Sequence, residues 1–192
     1  MKKRVIVGIT GASGSIYGYR TLVKLRELGH ESHLVVSSSA WKVFEDELNI
    51  KRDEIIKLAN FYYEEFDFTA PIASGSFPTD GMIIAPCSMK TVASIANGLA
   101  NNLLLRAADV CIKEKRMLVL LIRETPLSFI HLDNLRKLSL LPNVVIFPPL
   151  PAWYSKPKDL IDLVDQSVAR ALRYLGIEDK TLRIWKGEIL ED

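Results

Sequence analysis

Short apolar runs of strand length alternate with longer amphipathic segments along the whole chain, and this alternation limits the fold more than any other feature. The runs are Arg4–Ile9, Ser32–Val36, Gly81–Ala85, Met117–Ile122 and Val144–Phe147. Between and after them the spacing predicts helices over Ser15–Leu28, Ser39–Leu48, Asp53–Leu58, Ser88–Ala96, Asn102–Lys115, Pro126–Leu138 and Lys158–Leu175. In the first helix Ile16, Tyr19, Leu22, Val23, Leu25 and Leu28 build the apolar face, and Gly29 stops it. Phe61 to Pro78 reads as loop with room for one short strand. Runs that are apolar on both faces, Met117–Ile122 above all, belong to buried parallel strands. The alternation therefore predicts an α/β fold of three layers, a mostly parallel central sheet with helices on both sides. No repeat or low-complexity linker divides the 192 residues, which are enough for one domain with a good core.

Composition narrows the function. Basic residues number 25 against 23 acidic, a net charge of +2, and no basic stripe stands out, so nucleic acid is not an expected partner. Two cysteines, Cys87 and Cys111, are too few for a disulfide framework and fit no metal spacing; the simplest setting is cytoplasmic. The apolar run after Met1-Lys2-Lys3-Arg4 stops at Gly8, too short for a signal peptide, and no stretch approaches a transmembrane helix.

In an open parallel sheet, ligands bind outside the carboxyl ends of the strands. The segments expected there are Thr10 to Ser15, Ser37 to Ser39, Pro86 to Thr91, Arg123 to Pro126, and Pro148 to Tyr154. Two of them run straight into helix N-termini, which carry free N–H groups and about half a positive charge. Serine and threonine hydroxyls add donors, and Lys90 and Arg123 add charge, so the rim suits a phosphate. Each piece also has a bland reading. Gly8, Gly11 and Gly14 form GxxGxxG, neither the dinucleotide fingerprint nor a P-loop, and such a turn can merely permit tight packing. The serine triplet can cap a helix, and Cys87 reads as inert core. By pattern alone Lys113, Lys115, Arg170 and Arg173 are solvated helix faces, and His30, His33 and His131 are structural or surface residues. The second strand ends in serines instead of the acid that grips an NAD ribose, which points to FMN.

Five stretches, "GITGASGSIYG", "APCSMKTVASIANG", "NNLLLRAADVCIKEKRMLVLLIRETPLS", "IHLDNLRKLS" and "PAWYSKPKDLIDLVDQSVARAL", closely resemble the flavin prenyltransferases of the UbiX type. The resemblance implies a Rossmann-like flavoprotein fold and a homo-oligomer, usually a dodecamer, with sites at subunit contacts. It implies metal-independent transfer of a dimethylallyl group from dimethylallyl monophosphate to N5 and C6 of reduced FMN. The product, prenylated FMN, serves UbiD-type decarboxylases, some of them in ubiquinone biosynthesis. Carried onto this chain, FMN meets Gly11, Ala12, Ser13, Ser37, Ser88, Met89, Lys90, Thr91 and Arg123. The prenyl phosphate meets Tyr154 and Arg170, with Ser15, Lys113, Arg123 and Glu124 nearby. Lys113 and Arg170 converge with the rest if each comes from a different subunit. Trp185, in "TLRIWKGE", matches an aromatic position near the prenyl group, and residues 176–192 form a tail expected to pack at a subunit contact. Trp153 stands where the family more often has Phe. The rival enzyme is an FMN-dependent decarboxylase of a cysteine-derived or aromatic acid, but Asp67 to Ser76 lacks that group's histidine and the loop "PCSMKT" departs from its pattern. A flavodoxin-like electron carrier would need neither Arg123 and Glu124 nor Tyr154 and Arg170.

Overall fold

The computed structural model describes residues 1–185 and Gly187. Its strands are β1 (Arg4–Ile9), β2 (Glu31–Val36), β3 (Phe61–Tyr63), β4 (Gly81–Cys87), β5 (Met117–Ile122) and β6 (Val144–Ile146). They form one sheet in the order β3-β2-β1-β4-β5-β6, and every pairing is parallel. The order reverses between β1 and β4, so a crevice opens beyond their carboxyl ends.

The helices are α1 (Ser15–Glu27), α2 (Ser38–Leu48), α3 (Arg52–Ile56), α4 (Met89–Ala96), α5 (Leu103–Lys113), α6 (Phe129–Ser139) and α7 (Leu160–Leu172). Strand side chains alternate between two cores, as a period of two requires. Val5, Val7, Ile83, Ala85, Val119 and Leu121 pack with Leu22 and Leu25 of α1, Phe44 of α2, and Val164 and Val168 of α7. Ile6, Met82, Ile84, Leu118 and Leu120 pack with Val92 and Ile95 of α4, Leu104 and Ala108 of α5, and Leu135 and Leu138 of α6. Both faces are covered, which is why these strands tolerate no polar side. Each fully buried Leu, Ile or Val contributes roughly 1.5–3 kcal/mol.

The expected elements are present, with shifted ends that have local causes. The helix expected from Pro126 begins at Phe129 because the Ser128 side chain caps it, accepting from the His131 amide at 3.3 Å. Lys115, at φ 56°, turns the chain out of α5 before the expected end. The last helix gives way at Arg173–Leu175 to a 3-10 turn closed by Gly176 at φ 68°. The short strand allowed for in the loop is β3, an edge strand on β2. Among the described residues, no helix is long and apolar enough to cross a membrane.

Gly18 sets how closely α1 can press on β4. A Cβ there would lie 2.5 Å from the Ala85 carbonyl oxygen and 2.8 Å from Ile9. A backbone oxygen cannot swing aside, so Gly18→Val is expected to force α1 outward. Overpacking of this kind costs about 1–3 kcal/mol, a fall of roughly 2–10 °C in a melting scan by circular dichroism.

A buried polar cluster ties β1 to the β2–β3 edge. His33 stacks on Phe61 with ring centroids 4.7 Å apart, and its ring nitrogens meet Tyr63 Oη at 2.9 Å and Glu31 Oε1 at 3.0 Å. Arg4 Nε also donates to Glu31, at 2.5 Å. The His33 bond first, then Arg4, holds the Glu31 carboxyl down at about 2, below its ordinary 4.5. Burial pushes His33 below its ordinary 6.5, against the pull of Glu31. Both folded groups resist protonation relative to the unfolded chain. Stability is therefore complete above pH 6.5 and falls as acid protonates His33 in the unfolded state, then falls further below pH 4.5 through Glu31. Urea midpoints measured from pH 8 to 4 should show a decline beginning near 6.5, and His33→Gln should flatten that upper part.

Candidate functional site

Hydrogen bonds stitch the carboxyl ends of the central strands together. The Thr10 hydroxyl donates to the Pro86 carbonyl at 2.8 Å and accepts from the Ser88 amide at 2.9 Å, joining the ends of β1 and β4. The Ser37 amide donates to Ile9 O at 2.9 Å, and the Arg123 amide to Cys87 O at 3.2 Å. Four polar segments are thus held along one rim.

Two adjoining hollows lie against that rim. One, about 550 Å³, is lined by Gly11, Ala12, Ser13, Ser88, Met89, Lys90, Arg123, Glu124, Thr125 and His131. The other, about 260 Å³, shares Gly11, Ser88 and Lys90 and adds Ser37, Ser38, Ser39, Glu65 and Thr91. Such sizes suit a small organic ligand. Of the expected flavin contacts, Gly11, Ala12, Ser13, Ser37, Ser88, Met89, Lys90, Thr91 and Arg123 all line one hollow or the other.

The donors are available. Ser88 caps α4 by accepting from the Thr91 amide at 3.3 Å, and the first amides of a helix have no partner in its own ladder. The Met89 and Lys90 amides at this positive helix end therefore suit an anion. Ser37 precedes α2 without a side-chain cap bond; its hydroxyl lies 3.2 Å from that of Ser39. Ser38 is tied by hydroxyl and amide to the Glu65 carboxylate, which also accepts from Asn102 at 2.9 Å. Burial works against the Glu65 charge, but the Ser38 bonds, Asn102 and Lys90 outweigh it and keep the carboxyl below its ordinary value.

Gly14, at φ 98°, takes the left-handed turn that starts α1, a conformation few other residues adopt. Arg123 reaches across this turn, its Nε donating to Ser13 O at 3.3 Å. Burial pushes the Tyr17 phenol above its ordinary value against the opposing Arg123 charge, and Tyr17 Oη donates to Pro149 O at 3.4 Å. The segment after β6 thereby joins the same rim. Arg123 and Glu124 lie just beyond β5 and both line the larger hollow. Glu124 is exposed and accepts from the Thr125 amide at 3.1 Å.

Ser15 is buried, and its hydroxyl donates to Glu47 at 2.8 Å. Glu47 also accepts from the amides of Gly14 at 3.0 Å and Ser15 at 2.8 Å. Burial opposes its charge, but the Ser13, Ser15 and Gly14 donors keep the carboxyl below its ordinary value. Sequence reasoning missed Glu47, which is one of three consecutive acids on α2 and carries no local mark. It also placed His131 away from the site, whereas the imidazole lines the larger hollow.

Lys113 and Arg170 are not at this rim. Lys113 ends α5, just before the amino end of β5, and pairs with Glu114. A six-residue parallel strand spans about 20 Å, more than a side chain can cross, so Lys113 cannot reach its own protomer's cleft. Arg170 is exposed in the last turn of α7. That helix leads to Leu175, which packs by Gly81 at the same amino edge. Tyr154, in the 3-10 turn Trp153–Ser155, meets Trp185 edge to face with ring centroids 5.9 Å apart. Neither ring lines the two hollows.

Helix N-termini, hydroxyls and an arginine around the switch point of a parallel sheet define a protein that holds a phosphate-bearing nucleotide. The family model described as Flavoprotein matches residues 1–171. The flavin prenyltransferase UbiX of Neisseria meningitidis serogroup B is 49% identical over 187 residues, 97% of this chain and 98% of that protein. The crystal structure of AnUbiX (PadA1) in complex with FMN and dimethylallyl pyrophosphate superposes with a TM-score of 0.94 at 42% identity, over 98% of this chain and 100% of that one. A dodecameric FMN-dependent Ubix-like decarboxylase from Escherichia coli O157:H7 superposes with a TM-score of 0.92 at 46% identity, over 96% of this chain and 100% of that one. The chain belongs to the UbiX-type flavin prenyltransferases of the Flavoprotein family.

Proposed function

We propose that this protein joins the dimethylallyl group of dimethylallyl monophosphate to N5 and C6 of reduced FMN, making prenylated FMN for a UbiD-type decarboxylase. The observation that carries this reading is 49% identity over nearly the full length to a flavin prenyltransferase. The donor set fits FMN. Ser37, Ser88, Thr91 and the first amides of α4 suit its phosphate, and Gly11 to Ser13 form a low wall beside it. Reduced FMN supplies the nucleophilic ring atoms when bound, so the chain need only position groups and stabilise charge.

Arg123, Tyr154, Lys113 and Arg170 hold the prenyl phosphate and stabilise it as it leaves. Each charge-assisted bond is worth roughly 1.5–3 kcal/mol. Ser15 lines neither hollow, and its hydroxyl must turn from Glu47 to serve the phosphate. Trp185 offers its π face to the allylic cation, an effect of about 0.5–2 kcal/mol. Glu124 moves the protons that ring closure needs, one onto the prenyl double bond and one off C6, with the released phosphate as the competing group.

Lys113 and Arg170 enter the cleft from neighbouring copies. Their place at the opposite edge of the protomer supports this. So do the exposed apolar side chains Phe129 (82%), Ile130 (68%) and Leu132 (52%) on α6, which a lone subunit would leave in water. A dodecamer fits this reading, with residues 176–192 packing at a subunit contact; residues 186 and 188–192 lie outside the described residues. A cytoplasmic setting belongs to the same reading, supported by the free thiols Cys87 and Cys111.

The test is to mix the purified protein with reduced FMN and dimethylallyl monophosphate anaerobically and record the mass of the flavin. A gain of one prenyl unit is expected. Unchanged flavin, with carbon dioxide released from an aromatic or cysteine-derived acid, would instead establish the decarboxylase reading that the name of the E. coli relative suggests.

A further inference from the structure

After α7 the chain doubles back along that helix. Ile177 is buried in the core, and Asp179 folds over a short turn, its Oδ1 accepting from the Thr181 amide at 2.8 Å and hydroxyl at 2.7 Å. Lys24 of α1, itself buried, forms an ion pair with Asp179 Oδ2 at 3.0 Å and donates to the Thr181 hydroxyl at 3.3 Å. The next anchors are on α7. Gln166 Nε2 donates to Thr181 O at 3.0 Å, while its Oε1 accepts from the Arg183 amide at 2.8 Å. Arg183 Nη2 then reaches both oxygens of Asp162 at 2.6 Å. Asp162 and Gln166 are four residues apart, one helical turn on one face. Contacts along residues 177–183 thus step from the end of α7 toward its start. Two residues later Trp185 meets Tyr154, which precedes α7.

The 13 residues of α7 span about 20 Å. The nine residues that follow Gly176, up to Trp185, reach about 30 Å when extended, enough to return to the rim where β6 ends. Beyond Asp179 this returning strap buries little apolar surface to hold it down, with Ile184 and Trp185 both exposed. Gln166 is 6% exposed, and it is the group that engages the strap's backbone on both sides of Leu182, by donating and by accepting.

We propose that Gln166 is a positioning residue: its amide clamps residues 181–183 to α7 and so sets Trp185 against Tyr154 for the prenyl-phosphate end of the site. Lys24 and Asp179 fix where the strap starts, and Asp162 with Arg183 fixes its exit. This inference rests on the proposed prenyl transfer for its substrate half alone; the clamp can be read without turnover.

The test uses the full-length assembled protein. Amide hydrogen exchange of residues 179–185, followed by mass spectrometry, is slow in the wild type and accelerates in Gln166→Leu, which keeps the helix and the side chain's bulk but loses both bonds. Gln166→Glu keeps the acceptor for Arg183, loses the donor to Thr181, and falls between. In steady-state assays Gln166→Leu lowers kcat/KM for dimethylallyl monophosphate about tenfold, the loss of one to two hydrogen bonds, with FMN affinity little changed. Because Gln166 acts through Trp185, adding Gln166→Leu to Trp185→Ala lowers kcat/KM no further. Unchanged exchange in Gln166→Leu overturns the clamp. A full tenfold effect that persists in the Trp185→Ala background overturns the route through Trp185. A wild type that never prenylates FMN removes the substrate half, and exchange still decides the clamp.

Discussion

Glu124→Gln is expected to bind FMN as the wild type does while turnover falls roughly 10²- to 10⁴-fold, the range for loss of a general base. The carboxylate lies just past β5 on the wall of the larger hollow, held to the Thr125 amide. Glutamine keeps its size and one acceptor oxygen, so the loop should stay in place. It cannot take a proton. Single-turnover flavin spectra separate the outcomes: prenyl transfer to N5 without ring closure is expected, and wild-type rates would remove Glu124 from the chemistry and leave released phosphate as the base.

Arg123→Ala should weaken both ligands, FMN and dimethylallyl monophosphate, each by roughly 10- to 100-fold, the worth of a lost charge-assisted bond. The guanidinium crosses the glycine turn to Ser13 O and stands by Tyr17, so its removal also loosens the turn that starts α1. Arg123→Lys should recover only part of the loss, because an ammonium cannot serve the Ser13 carbonyl and a phosphate through one planar fork. Titrations of each ligand by flavin fluorescence and by calorimetry check this; unchanged affinities for both would refute the placement.

The strands were legible because both cores demand them. Met117–Ile122 is apolar on each face, and its side chains alternate between the two helical layers. The switch-point rule then located the rim from loop residues alone, and Ser37, Ser88 and Arg123 do gather around Gly11. What escaped the sequence depends on contacts between distant segments. Glu47 reaches back 32 residues to Ser15, from a helix whose acids look solvated. His131 reads as a structural or surface residue and does cap α6, yet that helix also sets it against the cleft. The edge strand β3 is three residues long and half exposed, too short for a period to register. For Lys113 and Arg170 the solvated-face reading is correct within one protomer, where both stand at the surface.

The position of Lys113 carries a consequence for how activity is governed. With its ammonium stranded a strand's length from its own cleft, a solitary protomer can fold completely and still lack a full complement of charge. On the proposal that a neighbouring copy supplies this ammonium, catalytic competence follows the association equilibrium, and dilution is expected to silence the enzyme before its subunits unfold.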